Sequence, residues 1–412
     1  TASTAASPSC SSTKRARPEA DVDARAEALL DDADAIAAAD PSGVLRAMAT
    51  AGAQVREATV RGAEAGVRAI GDGDRPRSVV VASLGGSALV ADVLALLAGA
   101  GSPVPVAVRR GLPLPGWVGP LDMVVAVSLS GRARGPLALA AEAGRRGARL
   151  VTVGAPDSPL ADVCARARGV HVPVQRPREP GRATSGASSR TSLWSLLVPL
   201  LQAADSLGII DVSDALLASV ADRLDDQAEA CRPASESFVN PAKVLALQLA
   251  GSVPVVLGDG LVTGVAAGRA AAMLARTART PAVHGSLPDD ASEVVATFDG
   301  PFTAPSDDVF ADPFLDAPRG PSLRLLMLRE PAPVPGQDDQ DAFEAAALAD
   351  RVRGLAEDVG VAVSELAAEP GHPLERLAGL VAHTDFASAY LAIALGLDPG
   401  LSPHVADLRD AR

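Results

Sequence analysis

Aromatic side chains are nearly missing from this chain: they make up 2% of 412 residues, with 7 Phe, 2 Trp and 1 Tyr. Single-stranded nucleic acid is held on stacking platforms, and a duplex needs a basic face to neutralise its phosphates. That basic face is lacking too, because 37 Lys and Arg stand against 50 Asp and Glu, a formal net charge of −13. Nucleic acid is therefore not an expected partner. Cysteine is scarce: Cys10, Cys164 and Cys231 lie far apart, form no CxxC pair and have no histidine cluster beside them. This argues against a disulfide framework and a structural zinc site, so no metal or other cofactor is expected, and the expected compartment is the reducing cytoplasm. No apolar run reaches the roughly 18 residues of a membrane span. The longest candidate, 244–258, is broken by Gln248, Ser252 and Pro254, and no membrane association is expected. Residues 1–20 are small, polar and proline-containing, without the apolar core of a signal peptide. With the KRAR run at 14–17 read as solvated charge, residues 1–24 are expected to form a mobile tail.

What the chain does have is Ala, Val and Leu, which dominate a 48% hydrophobic content and suit helices packed on strands. Its length fits two to three domains, and 21% charge alongside abundant Leu and Val excludes wholesale disorder. Large apolar residues at helical spacing (Leu29, Leu30, Ile36, Val44, Leu45, Met48, Val55, Val60, Val67, Ile70) predict two or three leading helices, broken at Asp40-Pro41. From 78 onward β-branched runs alternate with helical stretches. Strands are predicted at 78–83, 104–108, 123–128, 150–153 and 170–174, with helices at 87–98, 135–146 and 159–167. That alternation means a parallel sheet covered on both faces. After a Pro/Gly/Ser-rich stretch at 175–192 and a helix at 193–207, the theme repeats. Strands are predicted at 253–257, 323–328 and 360–363, helices at 263–278, 340–357 and 373–396, and an exposed loop at 299–321. The expectation is an α/β protein of two similar units, 25–210 with the leading helices and 211–412, each a three-layer sandwich.

Two turns could carry chemistry. Leu84-Gly85-Gly86-Ser87 follows a strand and opens a helix; free N–H groups at such a start bind anions, and the alternative is a plain tight turn. It has neither a Walker lysine nor the full dinucleotide fingerprint. Ser128-Leu129-Ser130-Gly131 offers two hydroxyls and the amides that follow, enough to hold a phosphate without a metal. Two anion-ready turns at the carboxyl ends of neighbouring parallel strands favour a phosphorylated small molecule.

These residues resemble the SIS-domain sugar-phosphate isomerases, in the bifunctional phosphoglucose/phosphomannose isomerase-like branch, over nearly the whole chain after residue 25. Gly85-Gly86-Ser87 looks like the first glycine motif, Arg109-Arg110-Gly111-Leu112-Pro113 like the arginine–glycine–proline loop, and Ser128-Leu129-Ser130-Gly131 like the start of the phosphate loop SxSGNT. Arg190 falls where the family keeps an arginine. Asn240-Pro241-Ala242-Lys243, Leu374-Glu375-Arg376-Leu377 and Asp385-Phe386-Ala387-Ser388-Ala389-Tyr390 match later patterns. The resemblance implies two SIS-type subdomains, a phosphorylated sugar ligand held by Gly85, Gly86, Ser87, Ser128, Ser130, Gly131, Arg132 and Arg190, and a homodimer with sites near the subunit boundary.

The departures bear on catalysis. Aldose–ketose isomerisation needs a carboxylate to carry a proton between C1 and C2 and a group, usually His or Lys, to open the ring. Arg276 stands where the family has its glutamate, and a guanidinium has no acceptor and stays protonated. Ser292 stands at the family histidine, Arg132-Ala133 replaces Asn-Thr in the phosphate loop, and Arg409 replaces a late lysine. Candidates for a relocated base are His284, Asp289, Asp290 and Glu293, although the two aspartates also suit helix capping. His383 reads as a packing histidine and Cys164 and Cys231 as small interior residues. The sequence thus predicts a phosphosugar-binding protein on an isomerase scaffold with catalysis lost or weakened; the alternative is a working isomerase with a moved base. A transcription regulator or amidotransferase carrying an SIS module is disfavoured by the acidic charge and by the terminal position of Cys10.

Overall fold

The computed structural model describes residues 18–83, 87–99, 101–174, 188–303, 321–333 and 340–405. Helices α1 (Pro18–Asp31), α2 (Ala33–Ala39), α3 (Val44–Met48) and α4 (Ala51–Glu64) come first. The first begins at Pro18, inside the stretch expected as a tail; residues 1–17 lie outside the described residues. These helices are shared between the two halves of the chain. The Asp31 carboxylate accepts the Ser237 amide at 2.6 Å, and Asp40 turns its side chain onto the Val44 and Leu45 amides, both at 2.9 Å, to start α3.

The first sheet consists of β1 (Val79–Ser83), β2 (Val106–Arg109), β3 (Met123–Ser128), β4 (Arg149–Gly154) and β5 (Val170–Pro173), all parallel in the order β2-β1-β3-β4-β5. Every residue of β1 and β3 is buried, as continuous apolar runs under two layers of helices require. Strand periodicity divides them. Val79, Val81, Val125 and Val127 face α5 (Ala88–Ala98) and α9 (Leu193–Ser206). Val80, Ala82, Val124 and Ala126 face α6 (Arg134–Arg145) and α7 (Pro159–Arg166). Each such Val contributes about 1.5–3 kcal/mol on leaving water. Strand β2 sits two residues later than its apolar run at 104–108 suggests: the parallel register pairs Val79 with Val106 and Ala82 with Arg109. Residues 175–187, most of the predicted linker, lie outside the described residues, and α8 (Ser188–Thr191) closes it.

Helices α10 (Asp214–Ala230) and α11 (Pro241–Leu249) lead into the second sheet. Its strands β6 (Ser252–Gly258), β7 (Val283–Ser286), β8 (Ser322–Arg329) and β9 (Ala362–Ala367) are parallel in the order β7-β6-β8-β9. One face meets α12 (Leu261–Met273), α11 and α15 (Pro373–Ala394); the other meets α13 (Ala291–Ala296) and α14 (Gln340–Asp358). The fold is therefore two three-layer α/β units, as expected. Strand β7 and helix α13 were not predicted. A single valine, Val283, followed by His284 and Gly285 is too little to read as a strand in sequence, and pairing with β6 supplies what propensity lacks. The helix predicted over 263–278 ends at Met273 and continues as a π-helical turn, Leu274–Ala278. Helix α15 is long and apolar enough to cross a membrane, yet 83% of its apolar window is buried inside the protein, so it is the central core helix.

Candidate functional site

In a doubly wound sheet the ligand crevice opens at the carboxyl ends of the strands where the winding reverses. In the first sheet that point lies between β1 and β3, whose ends are level because Ser83 pairs with Val127. Gly131 turns the chain there with φ +62, and a Cβ on it would lie 2.1 Å from the Ser158 hydroxyl, so no other residue fits. The turn closes through the Gly131 amide on the Ser128 carbonyl at 2.8 Å.

The polar groups that line this point have donors to spare. Ser128 is 4% exposed, and its hydroxyl makes no hydrogen bond among the described residues. The Ser130 hydroxyl accepts the Arg132 amide at 3.2 Å and donates to nothing described. Ser87, at the start of α5, caps no amide with its side chain. Helix α6 has Ala133 at its N-cap, which cannot cap with its side chain, has no acid in its first turn, and carries Arg134 as its first residue. That arrangement runs against both the N-cap preference and the helix dipole; an anion supplied from outside would satisfy it. Arg132 and Arg134 are exposed. On the β2 side, Arg109 donates to the Pro113 carbonyl at 3.0 Å and Arg110 pairs with Asp92 of α5, which ties the arginine–proline loop down beside the crevice. Gly85 and Gly86 lie outside the described residues.

The second sheet reverses between β6 and β8, and there protein side chains bridge the turn. The Asp259 carboxylate accepts the Glu330 amide at 2.6 Å and Arg329 Nε at 2.8 Å. Thr263 Oγ1 accepts the Gly260 amide at 2.8 Å. Glu330, just past β8, places Oε1 at 3.1 Å from the Val262 amide and 3.2 Å from the Thr263 amide, in the first turn of α12. Its Oε2 accepts Arg376 Nη1 at 2.7 Å.

The positions that the resemblance sets against catalytic groups are separate. Arg276 is half-buried in the π-helical turn, a feature often found at functional sites. Its carbonyl accepts Arg190 Nη2 at 2.8 Å and the Ser402 hydroxyl at 3.2 Å. Arg190, expected among the phosphosugar ligands, is 3% exposed and also donates to the Gly400 carbonyl at 2.7 Å; these bonds brace main chain. Beneath it Arg269 forks onto Asp385 at 3.0 and 2.7 Å and onto the Arg190 carbonyl at 2.7 Å. Burial pushes the Asp385 carboxyl upward, and the charge and hydrogen bonds of Arg269 and then the charge of Arg276 oppose it.

His284 is exposed on the edge strand β7, and a Cβ on Gly268 of α12 would lie 3.7 Å from its ring. Asp290 turns back to accept the Ser286 amide at 2.7 Å. Asp289, Ser292 and Glu293 are exposed along the same β7–α13 edge. These residues and the serines of the first switch point therefore sit on different sheets. Arg409 lies outside the described residues. Among the described residues no group of three His, Cys, Asp or Glu side chains is placed to hold a metal.

The other conspicuous motifs brace the fold. Asn240 caps α11 through the Ala242 and Lys243 amides at 3.0 and 3.1 Å. Lys243 is fully buried, donates to the carbonyls of Leu30, Pro233 and Ser235, and lies 5.5 Å from the Tyr390 ring centroid. Burial holds its pKa below the ordinary lysine range and pushes the Cys231 thiol up to about 12. His383 is held down by burial, with a hydrogen bond to the Pro241 backbone opposing it. Sequence reasoning missed Glu330, because its role depends on the adjacency of β6 and β8 across 68 residues.

Fold and sheet order define two SIS-type α/β units. Residues 238–411 match the family described as bacterial phospho-glucose isomerase C-terminal SIS domain. A bifunctional phosphoglucose/phosphomannose isomerase of Caldicellulosiruptor bescii is 26% identical over 322 residues, 78% of this chain and 85% of that protein. In structure, a hypothetical protein of Thermus thermophilus superposes with TM-score 0.66 at 18% identity, covering 96% of each chain. The C-terminal domain of glucosamine-fructose-6-phosphate aminotransferase from Francisella tularensis gives 0.56 at 13% identity, covering 87% of this chain and 98% of that one. The chain is thus similar to a bacterial phospho-glucose isomerase SIS domain over its C-terminal unit and to a bifunctional phosphoglucose/phosphomannose isomerase over most of its length.

Proposed function

We propose that the protein binds a phosphorylated sugar at the β1/β3 switch point and that aldose–ketose isomerisation there is lost or much weakened. The observation that carries the binding half is the set of donors without acceptors: the hydroxyls of Ser87, Ser128 and Ser130 and the uncapped start of α6. A phosphate accepts from all of them, and each hydrogen bond to a charged group is worth about 1.5–3 kcal/mol. Arg132 supplies positive charge where the family loop has Asn-Thr. The catalytic half rests on Arg276, which cannot take a proton from C2.

The competing reading, a working isomerase with a moved base, has His284, Asp289, Asp290 and Glu293 on one edge of the second sheet, three of them exposed. Calorimetry with glucose-6-phosphate, mannose-6-phosphate and fructose-6-phosphate tests binding; absence of heat with all three overturns the first half. Solvent deuterium at C2, read by NMR at high protein concentration, tests the second. Measurable exchange that disappears when those four residues are replaced together establishes the competing reading. In the same proposal the chain acts as a cytoplasmic homodimer of two-unit subunits divided near residue 210, and sedimentation equilibrium at micromolar concentration reads the dimer directly.

A further inference from the structure

The second switch point repeats the architecture of an oxyanion site. Strand β6 ends in Gly258-Asp259-Gly260 and runs into a 13-residue helix, α12. A Cβ on Gly258 would lie 2.3 Å from the Gly264 amide nitrogen, and one on Gly260 would lie 2.7 Å from Glu330 Cγ and 2.9 Å from its Oε1. The two glycines therefore serve different needs: Gly258 lets strand and helix approach, and Gly260 leaves room for a carboxylate.

That carboxylate meets a donor set typical of bound phosphate: two amides of the first helical turn and a guanidinium from another element. The Val262 and Thr263 amides take one oxygen of Glu330, and Arg376 takes the other. Arg376 Nε is also buried without a hydrogen-bond partner in the same neighbourhood. Asp259 holds the Glu330 amide, so the residue is fixed from its main chain as well as from its tip.

We infer that Glu330 is an internal ligand: its carboxylate closes a latent oxyanion site at the second switch point, leaving the chain one phosphate site, at the first. This rests on the proposed function only for the site that remains open; the closure itself stands apart from it.

The test compares wild type, Glu330→Ala and the double variant Glu330→Ala/Arg376→Ala in inorganic phosphate, with sodium chloride at matched ionic strength as control. Equilibrium dialysis with labelled phosphate should show one more phosphate bound per chain in Glu330→Ala than in wild type, and loss of that extra phosphate in the double variant. Thermal unfolding should show a midpoint several degrees lower for Glu330→Ala that phosphate restores and chloride does not, since a ligand bound only by the folded state stabilises it. The counting uses a difference between variants, so it holds whether or not the first switch point takes a sugar phosphate. An unchanged phosphate count and an unrescued midpoint overturn the inference and leave Glu330 as a plain strut between α12 and α15. If Glu330→Ala does not fold, refolding yield from urea replaces the midpoint: recovery in phosphate but not in chloride supports closure, and equal yields overturn it.

Discussion

At the end of β3, the hydroxyls of Ser128 and Ser130 donate to nothing among the described residues and α6 starts without a side-chain cap, whereas at the end of β6 the matching turn is filled by Glu330 from just past the neighbouring strand. The two points share parallel strands, a glycine in the turn and a helix start. They differ in where the negative charge comes from. The uncapped start of α6 at the first point, with Arg134 in its first turn, is the place to which the function proposed above assigns a ligand. The second, complete without one, contributes stability. The rest of the second unit follows that pattern: its conspicuous charges, Lys243, Arg269 and Asp385, are spent on carbonyls and on each other.

The comparison is most sharply tested on stability in the second unit. Replacing Asp385 with Ala leaves Arg269 buried and uncompensated, and should cost about 3–5 kcal/mol in urea unfolding; a loss below about 1 kcal/mol would break the structural reading of these charges. Next in size is the reverse pattern at the first point. Ser128→Ala/Ser130→Ala should lower sugar-phosphate affinity at least about 100-fold, since each lost bond to a charged acceptor is worth about 1.5 kcal/mol or more. Unfolding of that variant should stay within about 1 kcal/mol of wild type, because the bond lost within the protein is the exposed one from the Arg132 amide to Ser130. Glu330→Gln should invert this: about 1–2 kcal/mol less stable, because the half-exposed pair with Arg376 loses its charge, with sugar-phosphate affinity at the first point unchanged in calorimetry.

The smallest effect concerns the helix that presents Arg376. His372 starts α15 by accepting the Leu374 amide on Nδ1 at 3.2 Å. Burial first, with Arg376 also contributing, lowers its pKa below the ordinary histidine value, against the pull of Glu375. The neutral ring is the one that caps, so its stabilisation is complete above the unfolded pKa of about 6.5 and is lost as pH falls through the lower folded value. Asn caps without titrating, so His372→Asn should match wild type at pH 8 and flatten its decline toward pH 5 by about 0.5–1 kcal/mol. An undiminished slope in thermal unfolding would assign the pH dependence elsewhere.

Much of the fold was legible because its strands are continuous apolar runs and its helices are long, and the first switch point because Ser128-Leu129-Ser130-Gly131 follows a strand and precedes a helix. What escaped depends on contacts distant in sequence. Strand β7 exists through its pairing with β6, and α13 through the buried Val294 and Phe298 beneath it. Arg190 has the same sequence context whether it meets a ligand or a carbonyl, and only packing against residues 276 and 400 shows the carbonyls. Glu330 reads as an unremarkable acid after a strand until β6 and β8 are set side by side. Helix α12 gives no sequence sign that its last turn slackens into a π-helix, because Leu274 to Ala278 contains no Gly or Pro.

The most direct measurement is a crystal of the protein soaked with fructose-6-phosphate. Phosphate density is expected within hydrogen-bond reach of Ser128 Oγ and Ser130 Oγ at the start of α6, with the Glu330 carboxylate still on the Val262 and Thr263 amides. Sugar phosphate absent from the β1/β3 edge at saturating concentration, or bound at the start of α12 with Glu330 displaced, would contradict it.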